Sequence, residues 1–580
     1  MKESRTNLRS LAIDDCRLTV NDDKKVGLEK RPREELLQSP IASRQSSILD
    51  IPESFNVARY FVDRNVEEGC GDAAAVFYGD EVLTYRQVAE QVNRAANAFA
   101  RAGIGRGDRV MLLLLDSRAF VAAFWGAIKL GAVPIPCNTS LTPAEDAFML
   151  RDSGAKGLVS EAGLVEKLQP ALAQENLKSL EAMWITVGPS GARPGSSGVR
   201  PDARPPAYLS FEEELAQSAP QAPVALTHRD DPAFWLYTSG STGPPKGAIH
   251  LQHDMVYCLE LYARQVLGIS GADRTFSTSK LYFAYGLGNG LYFPAGVGAS
   301  TVLLPERPTA ERVLAALRRY QPTLFFSVPT ILQALLQSAG ASEQDFRSVR
   351  CAVSAGEALP RALCEQFQER FRVPVVDGIG STEMLHMFIS NRPHEIVPGS
   401  SGKPVPGYRA KIVDEERREV APGTLGNLWV SGESAAAGYW NRLELTRETF
   451  VGDWVATGDK YIQDENGAFW YRGRSDDMMK VSGLWVSPIE VESALAAHPA
   501  VLECAVVGIA GADGLTKPKG FVVLKDQAAA SSQLQIQLID FARARLASYK
   551  APYGIHFMDR LPRTATGKLQ RFKLRRISGP

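Results

Sequence analysis

The sequence has no excess of charge of either sign. Its 580 residues include 65 Lys and Arg and 65 Asp and Glu, so the formal net charge is 65 − 65 = 0. A chain without a basic excess is not built to bind nucleic acid or an anionic membrane surface. The sequence also lacks a run of the roughly 20 apolar residues that a membrane-spanning helix requires. Together these absences predict a protein without nucleic-acid or membrane partners.

Cysteine is scarce and scattered. The seven cysteines include no CxxC pair, so neither a disulfide framework nor a zinc site is predicted. Residues 1–50 mix basic and acidic side chains without an apolar run, which argues against a secretion signal and a transit peptide. Scattered thiols without a secretion signal predict a cytoplasmic protein.

The sequence does have a globular composition, with 45% hydrophobic, 22% charged and 8% aromatic residues. Apolar strands alternate with helical patterns, as in the strand Val110–Leu115 followed by the helix Ala119–Leu130. Such alternation is typical of an α/β protein with a parallel sheet covered on both faces. Between Lys411 and Trp470, short alternating strands with glycine turns predict a small antiparallel β module.

We divide the chain into three parts. We predict that residues 1–50 form a polar, disordered N-terminal extension. We predict that residues 51–475 form the large domain. Within it, the segment 188–206 is rich in Gly, Pro and Ser and is expected to be a surface loop. Residues 476–580 return to mixed α and β and are numerous enough for a small compact domain.

One glycine-rich segment, Tyr237-Thr-Ser-Gly-Ser-Thr-Gly-Pro-Pro-Lys-Gly247, has the residue types of a phosphate cradle. Glycines let the backbone turn tightly and aim N–H groups at an anion, and the hydroxyls and lysine add further donors. A solvent-exposed Gly/Ser turn is the alternative reading. The segment is not a Walker A loop, because Lys246 is followed by glycine. The residues predicted to bind phosphate are Thr238, Ser239, Gly240, Ser241, Thr242, Gly243 and Lys246.

Four further motifs follow in order: Gly380-Ser-Thr-Glu383, Thr457-Gly-Asp459, Tyr471-Arg-Gly-Arg474 and Pro562-Arg-Thr-Ala-Thr-Gly-Lys568. With the glycine-rich segment they resemble the motifs of the acyl-adenylate-forming superfamily, which includes acyl-CoA synthetases, adenylation domains and beetle luciferases. The resemblance covers roughly residues 55–576. It implies a large N-terminal domain of parallel-sheet α/β subdomains with a small β module, followed by a small mobile α+β C-terminal domain that carries a catalytic lysine.

The resemblance also implies ATP, Mg²⁺ and CoA as reactants and assigns roles to the motif residues. Lys568 matches the lysine that bridges the carboxylate and the α-phosphate, and Thr382 matches a hydroxyl that contacts the same phosphate. Glu383 matches the magnesium-binding glutamate, which suits a hard cation. The remaining matches are to the nucleotide: Asp459, Tyr471 and Arg474 at the ribose, and Ala355, Gly356, Glu357, Asp377, Gly378 and Ile379 at the adenine. Ile379 departs from the family, which usually has an aromatic residue there.

Asp476 matches the hinge about which the C-terminal domain of relatives turns between the two half-reactions. In one orientation Lys568 is at the site for adenylation. In the other, the segment 480–488 is at the site for thiol attack. The CoA-side residues implied in this way are Lys480, Ser482, Gly483, Leu484 and Trp485.

Two segments, 280–289 and 378–388, resemble those of benzoate– and hydroxybenzoate–CoA ligases. They imply a flat aromatic pocket formed by Phe283, Ala284, Tyr285, Gly286, Gly380, His386 and Met387. His386 either contacts a polar ring substituent or is a core histidine bonded to backbone. Met387 stands where close benzoate enzymes tend to have Ile, so benzoate, a hydroxybenzoate and 2-aminobenzoate all stay open.

The resemblance therefore predicts an AMP-forming aryl-carboxylate–CoA ligase that forms an acyl-adenylate and transfers the acyl group to CoA. The alternative is a stand-alone adenylation enzyme that loads the aryl group onto a carrier protein. A third hypothesis, an inactive scaffold relative, is disfavoured because every expected catalytic position is filled. The sequence leaves monomer and homodimer open.

Overall fold

The computed structural model describes residues 49–174, 179–186, 207–238, 244–475, 477–481, 484–510, 516–563 and 569–577, and the strands Cys16–Val20 and Val26–Lys30. The chain forms two units, Met1–Asp50 and Ile51–Pro580. In the first unit the two strands just named pair antiparallel. Apart from residues 49 and 50, the remainder of the predicted extension lies outside the described residues, as does the whole of the predicted loop 188–206.

The second unit contains a parallel sheet of five strands. Its strands, in spatial order, are Val133–Pro136, Arg109–Leu113, Gly157–Glu161, Ala182–Thr186 and Ala207–Ser210. The antiparallel hairpin Pro232–Thr238 and Lys246–Leu251 packs against this sheet through Trp235, which belongs to the same apolar core as Met111 and Leu158. The glycine-rich segment joins the two strands of this hairpin, and its residues 239–243 lie outside the described part of the chain.

A sheet of nine strands forms the centre of the large domain. In spatial order its strands are Lys403–Pro404, Met387–Ser390, Val375–Gly380, Cys351–Ser354, Leu324–Ser327, Arg274–Ser277, Ser300–Leu303, Ala74–Tyr78 and Glu81–Thr84. The six strands from Val375–Gly380 to Ala74–Tyr78 are parallel, and antiparallel strands close both edges. The α/β architecture predicted from the alternation of elements is therefore confirmed.

The predicted β module is also present. Its five strands, Arg409–Val413, Gly426–Ser431, Phe450–Val451, Trp454–Gln463 and Phe469–Arg474, pair antiparallel. Beyond it lie the hairpin Met479–Val481 and Leu484–Val486 and a three-stranded sheet of Val501–Ala510, Thr516–Leu524 and Gly554–Phe557. The latter packs on helices Pro488–Ala496 and Ser532–Arg543 around a separate apolar core.

Local sequence explains the helices well. Helix Tyr85–Arg101 starts at Thr84, whose hydroxyl accepts from the Gln87 amide while Gln87 reaches back to the Thr84 amide. Helix Pro143–Ser153 begins in the same way and has proline at its first position.

The other α-helices are Arg64–Glu67, Arg118–Lys129, Ala162–Gln174, Phe211–Gln217, Asp254–Tyr257, Ala284–Leu287, Phe293–Val297, Ala310–Tyr320, Pro329–Gln337, Arg361–Phe371, Leu443–Thr449 and Arg571–Ile577. Wider turns of π type occupy Arg59–Asp63, Cys258–Arg264 and Gly288–Tyr292, and short 3₁₀ turns occupy Glu343–Phe346 and Gln527–Ala529. Among the described residues, we find no helix with the length and apolarity that crossing a bilayer requires.

Candidate active site

The carboxyl ends of parallel strands share one edge of the nine-stranded sheet. Two groups of predicted site residues begin at this edge. Strand Cys351–Ser354 runs directly into residues 355–357, and its neighbour Val375–Gly380 runs into the turn that carries Thr382 and Glu383. The register pairs Ser354 with Asp377. Open α/β sheets bind ligands at this edge, so the fold brings the predicted adenine and magnesium residues together.

The carboxylate of Glu383 contacts two side chains from elsewhere in the chain. The Tyr439 hydroxyl donates to Glu383 Oε1 at 2.7 Å and accepts from Lys246 Nζ at 2.8 Å. Lys246 Nζ lies 3.8 Å from the same carboxylate oxygen and 4.2 Å from the centre of the Tyr439 ring. Burial would raise the pKa of the Glu383 carboxyl, but the Tyr439 hydrogen bond and the Lys246 charge outweigh it and lower that pKa. Glu383 is therefore a carboxylate held beside the end of the glycine-rich segment.

The backbone of the Glu383 turn is held by three donors from outside it. The carbonyl of Thr382 faces His250 Nε2 at 2.8 Å, and the carbonyl of Glu383 accepts from the Ala436 amide at 2.8 Å. Ser434 Oγ donates to the Met384 carbonyl at 2.8 Å. The turn is closed by Leu385 in a left-handed conformation, with φ of 65°. Three successive carbonyls are thus fixed, and with them the directions of the Thr382 and Glu383 side chains.

The residues predicted at the ribose lie on two paired strands of the β module. Arg474 Nη1 donates to Asp459 Oδ1 at 3.2 Å and to the Thr457 carbonyl at 2.9 Å. Gly458 between them has a φ of 75°, and a side chain there would meet the Arg474 guanidinium at 2.8 Å. The Tyr471 ring lies 5.4 Å from the ring of Tyr461, and burial raises the Tyr471 pKa. The Thr457-Gly-Asp459 and Tyr471–Arg474 motifs therefore form one cluster.

At the predicted adenine side, Asp377 is buried, and burial raises its pKa well above the usual value although the Gly378 and Leu359 amides oppose that shift. Its Oδ1 has no hydrogen-bond partner among the described residues, which suits an acceptor that awaits a ligand donor. Ile379 pairs with Ile389 across the sheet edge. Glycine is required at position 378 because a Cβ would lie 2.7 Å from the Ile389 carbonyl.

Arg563, five residues before Lys568, links the C-terminal domain to this side of the site. Its guanidinium lies 3.4 Å from Glu357 Oε1 and donates to Glu503 at 2.6 Å. Gly356, with a φ of 88°, turns the chain just before Glu357. The segment that leads to Lys568 thus starts beside the predicted adenine residues.

His386 lies at the centre of the predicted aryl pocket and is almost fully buried. Its ring centre is 4.5 Å from that of Phe293 and 5.6 Å from that of Tyr285, and its Nε2 is 3.1 Å from Asn289 Oδ1. Burial lowers the His386 pKa to about 3, so the ring is neutral at physiological pH. The prediction of a core histidine bonded to backbone is supported, since a hydrogen bond with the Tyr285 backbone partly opposes the lowered pKa and the Asn289 side chain is a second polar partner, while contact with a ring substituent stays a prediction.

Of the other predicted pocket residues, Tyr285 contacts this ring, with ring centres 5.6 Å apart. The Tyr285 hydroxyl donates to the carbonyls of Val353 at 3.0 Å and Ser327 at 3.3 Å, which fixes it at the carboxyl edge of the sheet. Phe283 packs edge-on against Tyr282, Ala284 opens the short helix that follows, and Met387 is buried. Tyr285 and Gly380 contact His386 and Met387 follows it in the chain, while the pocket formed by all seven residues and its contacts with an acid stay a prediction.

Two glycines of the predicted pocket are required by close backbone packing. A Cβ at Gly286 would collide with the Lys280 carbonyl, and one at Gly380 would lie 2.6 Å from the His386 carbonyl. Both positions need glycine because backbone segments approach each other closely there. Their presence therefore does not depend on a flat ligand.

The predicted CoA side is described only in part. Lys480 pairs with residue 485 in the hairpin, and Leu484 has an exposed side chain. After the hinge position, Asp477 accepts from Arg575 Nη2 at 2.6 Å. The predicted residues that lie outside the described part of the chain are Ser239, Gly240, Ser241, Thr242, Gly243, Asp476, Ser482, Gly483, the Trp485 side chain and Lys568.

Four residues at the site did not emerge from the sequence: Tyr439, His250, Arg563 and Asn289. Asn289 ends the segment 280–289, and Arg563 lies within the Lys568 motif. Both therefore belong to segments that the sequence analysis had singled out. Tyr439 and His250 lie in segments without a recognised pattern, and their partners are 193 and 132 residues away in the chain.

Comparison with known families and proteins gives consistent matches. The model of the family described as AMP-binding enzyme matches residues 62–440, and that of the AMP-binding enzyme C-terminal domain matches residues 490–568. Benzoate–CoA ligase of Thauera aromatica is 45% identical over 91% of this chain and 97% of its own.

Solved structures agree with the sequence matches. The anthranilate CoA ligase AuaEII in complex with anthranoyl-AMP superposes with a TM-score of 0.84 at 42% identity, covering 91% of this chain and 98% of that chain. A benzoate CoA ligase from Burkholderia xenovorans LB400 gives a TM-score of 0.81 at 42% identity, covering 90% of this chain and all of that chain.

Proposed function

The chain belongs to the AMP-binding enzyme family, and from this premise we propose that it is an AMP-forming aryl-carboxylate–CoA ligase acting on benzoate, a hydroxybenzoate or 2-aminobenzoate. The observation that carries the proposal is the 45% identity to a benzoate–CoA ligase along almost the whole of both chains. The side-chain cluster of Glu383, Tyr439 and Lys246 beside the ribose-side pair Asp459 and Arg474 supports it, because ATP needs both features.

The reaction takes place in two steps. A carboxylate oxygen of the acid attacks the α-phosphorus of ATP, the bond to the β-phosphate oxygen breaks, and pyrophosphate leaves. The CoA sulfur then attacks the carbonyl carbon of the acyl-adenylate, the thiol proton is lost, and AMP leaves with the bonding electrons. The first step brings two anions together, so cationic groups at the phosphates lower its barrier. We assign that task to Lys568 and Lys246, with the Thr382 hydroxyl as a donor to the α-phosphate.

The site suits a magnesium ion. Mg²⁺ is usually held by one or two carboxylates together with substrate phosphate oxygens. The Glu383 carboxyl has a lowered pKa and keeps part of its surface exposed, so it offers a charged oxygen toward the phosphates. When bound, the ion would neutralise charge on the departing pyrophosphate. Tyr439 orients the carboxylate for that purpose.

The contact between Arg563 and Glu357 supports an arrangement of the C-terminal domain suited to adenylate formation. It joins the segment that leads to Lys568 to the adenine side of the site. We assign the turn to the thioester-forming arrangement to the hinge at Asp476, which would bring residues 480–485 to the site. Asp477 and its arginine partners would then be carried along with the C-terminal domain.

The acid is tested with a panel of benzoate, its 2-, 3- and 4-amino and hydroxy forms, and short aliphatic acids. We expect ATP–pyrophosphate exchange with at least one benzoate-type acid and a preference of at least about 100-fold over acetate, since a flat apolar pocket gives a short acid few contacts. Exchange with aliphatic acids alone would contradict the aryl assignment. Exchange with no acid would favour the inactive relative.

The acceptor is tested separately. Transfer to an acyl carrier protein but not to CoA would favour the stand-alone adenylation enzyme. We further place the enzyme in the cytosol. The six cysteines from Cys70 to Cys504 are all free, which suits a reducing compartment.

A further inference from the structure

A buried imidazole lies behind the turn that carries Thr382 and Glu383. His250 Nδ1 is 2.7 Å from Asp254 Oδ2, and His250 Nε2 is 2.8 Å from the Thr382 carbonyl oxygen. The side chains of His250 and Asp254 are completely buried. The ring is stacked on Phe234, with centres 5.1 Å apart and planes at 20°. Its position is therefore fixed by a face contact and by both ring nitrogens.

Both partners of this imidazole are hydrogen-bond acceptors. A carbonyl oxygen can only accept, and so can an ionised carboxylate. Burial would raise the Asp254 pKa, but the charges and hydrogen bonds of His253 and His250 outweigh it and lower that pKa, so Asp254 is ionised. The Leu251 amide also donates to Asp254 Oδ2, at 3.1 Å. Both nitrogens of His250 must then carry hydrogen, which makes the ring an imidazolium.

We propose that His250 is a positioning residue for adenylate formation and that Asp254 keeps it in the doubly protonated form that holds the Thr382 carbonyl. This inference rests on the proposed function. His250 touches backbone rather than substrate. It fixes the peptide from which the Thr382 hydroxyl and the Glu383 carboxylate are directed at the phosphates, and it places a buried positive charge behind them.

The size of the effect follows from how sensitive phosphate transfer is to geometry. A displacement of about 1 Å at a reacting group costs about 100-fold in rate. The Thr382 carbonyl also accepts from the Leu385 amide at 3.2 Å, so the turn would loosen rather than unfold without His250. We therefore expect a loss of about 10- to 100-fold in the adenylation half-reaction.

Asp254→Asn tests the pair with almost no change of shape. The asparagine oxygen can still accept from Nδ1–H, but it leaves the ring neutral, with a bare Nε2 against the Thr382 carbonyl. We expect the rate of ATP–pyrophosphate exchange to fall by about 10- to 100-fold, and thioester formation from supplied acyl-adenylate to fall by less than about 3-fold.

Asp146→Asn is the matched control, because it makes the same substitution at another buried aspartate. Asp146 lies in helix Pro143–Ser153, burial raises the pKa of its carboxyl to about 7, and its charged neighbours are Lys167 and Glu145. We expect its exchange rate to stay within about 3-fold of the wild type. Unchanged exchange in Asp254→Asn, an equal loss in both half-reactions, or an equal loss in the control would each overturn the proposal.

A spectroscopic measurement covers the case in which Asp254→Asn does not fold. In the wild-type protein labelled with ¹⁵N-histidine, nitrogen-detected spectra at pH 7.5 should contain a ring with both nitrogens protonated whose signal is lost in His250→Gln. A neutral ring as the signal that His250→Gln removes would overturn the proposal. If the wild type exchanges pyrophosphate with no aryl acid, the proposed function fails, and this spectrum still decides the protonation of His250.

Discussion

Replacing Tyr439 by Phe removes one oxygen atom and with it both hydrogen bonds that connect Glu383 to Lys246. The ring stays, so the packing of Tyr439 against Phe450 and the cation–π contact with Lys246 are kept. The Glu383 carboxylate then keeps Lys246, 3.8 Å away, and hydrogen bonds from the Ser381 side chain and its own amide. The change is therefore confined to the direction of a carboxylate and an ammonium group.

The expected magnitude follows from the two bonds that are lost. A hydrogen bond to a charged group contributes about 1.5–3 kcal/mol. The side chains of Lys246 and Glu383 are 20% and 16% exposed to solvent. Water and a closer ion pair between them would therefore recover part of the lost hydrogen-bond energy. We therefore expect the net loss to equal the contribution of one hydrogen bond rather than two. This lowers the rate of adenylate formation by about 10- to 150-fold.

The assay is ATP–pyrophosphate exchange at several magnesium concentrations, beside thioester formation from supplied acyl-adenylate. We expect Tyr439→Phe to lower exchange, to need more Mg²⁺ for half-maximal rate, and to leave the second half-reaction within about 3-fold. Tyr85→Phe is the control, since its buried hydroxyl donates to the Ala299 and Pro294 carbonyls in another part of the fold. Equal loss in both half-reactions with unchanged magnesium dependence would refute the reasoning.

Three further outcomes are expected. Lys568→Ala abolishes adenylate formation but spares thioester formation from supplied adenylate, and equal loss in both would contradict the role. Glu357→Gln removes the interdomain partner of Arg563 and raises the KM for ATP by about 2- to 5-fold, as expected for a partly exposed ion pair, while Glu503→Gln leaves it unchanged. His386 has a folded pKa of about 3 against 6.5 unfolded, so the unfolded state binds more protons below pH 6.5 and stability falls with falling pH. From pH 7 to 5 this amounts to about 2 kcal/mol, which denaturant unfolding should register in the wild type and not in His386→Gln.

Much of the fold follows from local sequence. The helical pattern over 84–103 became the helix Tyr85–Arg101, and the apolar run Val110–Leu115 became the buried strand Arg109–Leu113. The first signal is strong because apolar residues repeat at the helical period, and the second because a short continuous apolar run is typical of a fully buried strand. The convergence of the Gly380–Glu383 motif with residues 355–357 was also predictable, since consecutive parallel strands end at one edge.

The side chains that fix the site were not predictable in the same way. Tyr439 contacts Lys246 from 193 residues away, and His250 contacts Thr382 from 132 residues away. Contacts of that kind depend on how hairpin, sheet edge and β module pack together, and no local pattern encodes that. Gly286 illustrates a second limit: the residue was noticed, but its cause is the Lys280 carbonyl beside it and not a flat ligand.

We propose above all that this protein joins an aromatic acid to CoA through an adenylate. The most direct measurement incubates the purified protein with ATP, Mg²⁺, CoA and benzoate, or the best acid of the panel, and quantifies all products. We predict an aryl-CoA thioester, AMP and pyrophosphate in equal amounts, with no thioester when ATP is omitted. Formation of ADP and phosphate instead, or adenylate without any CoA thioester, would contradict the claim.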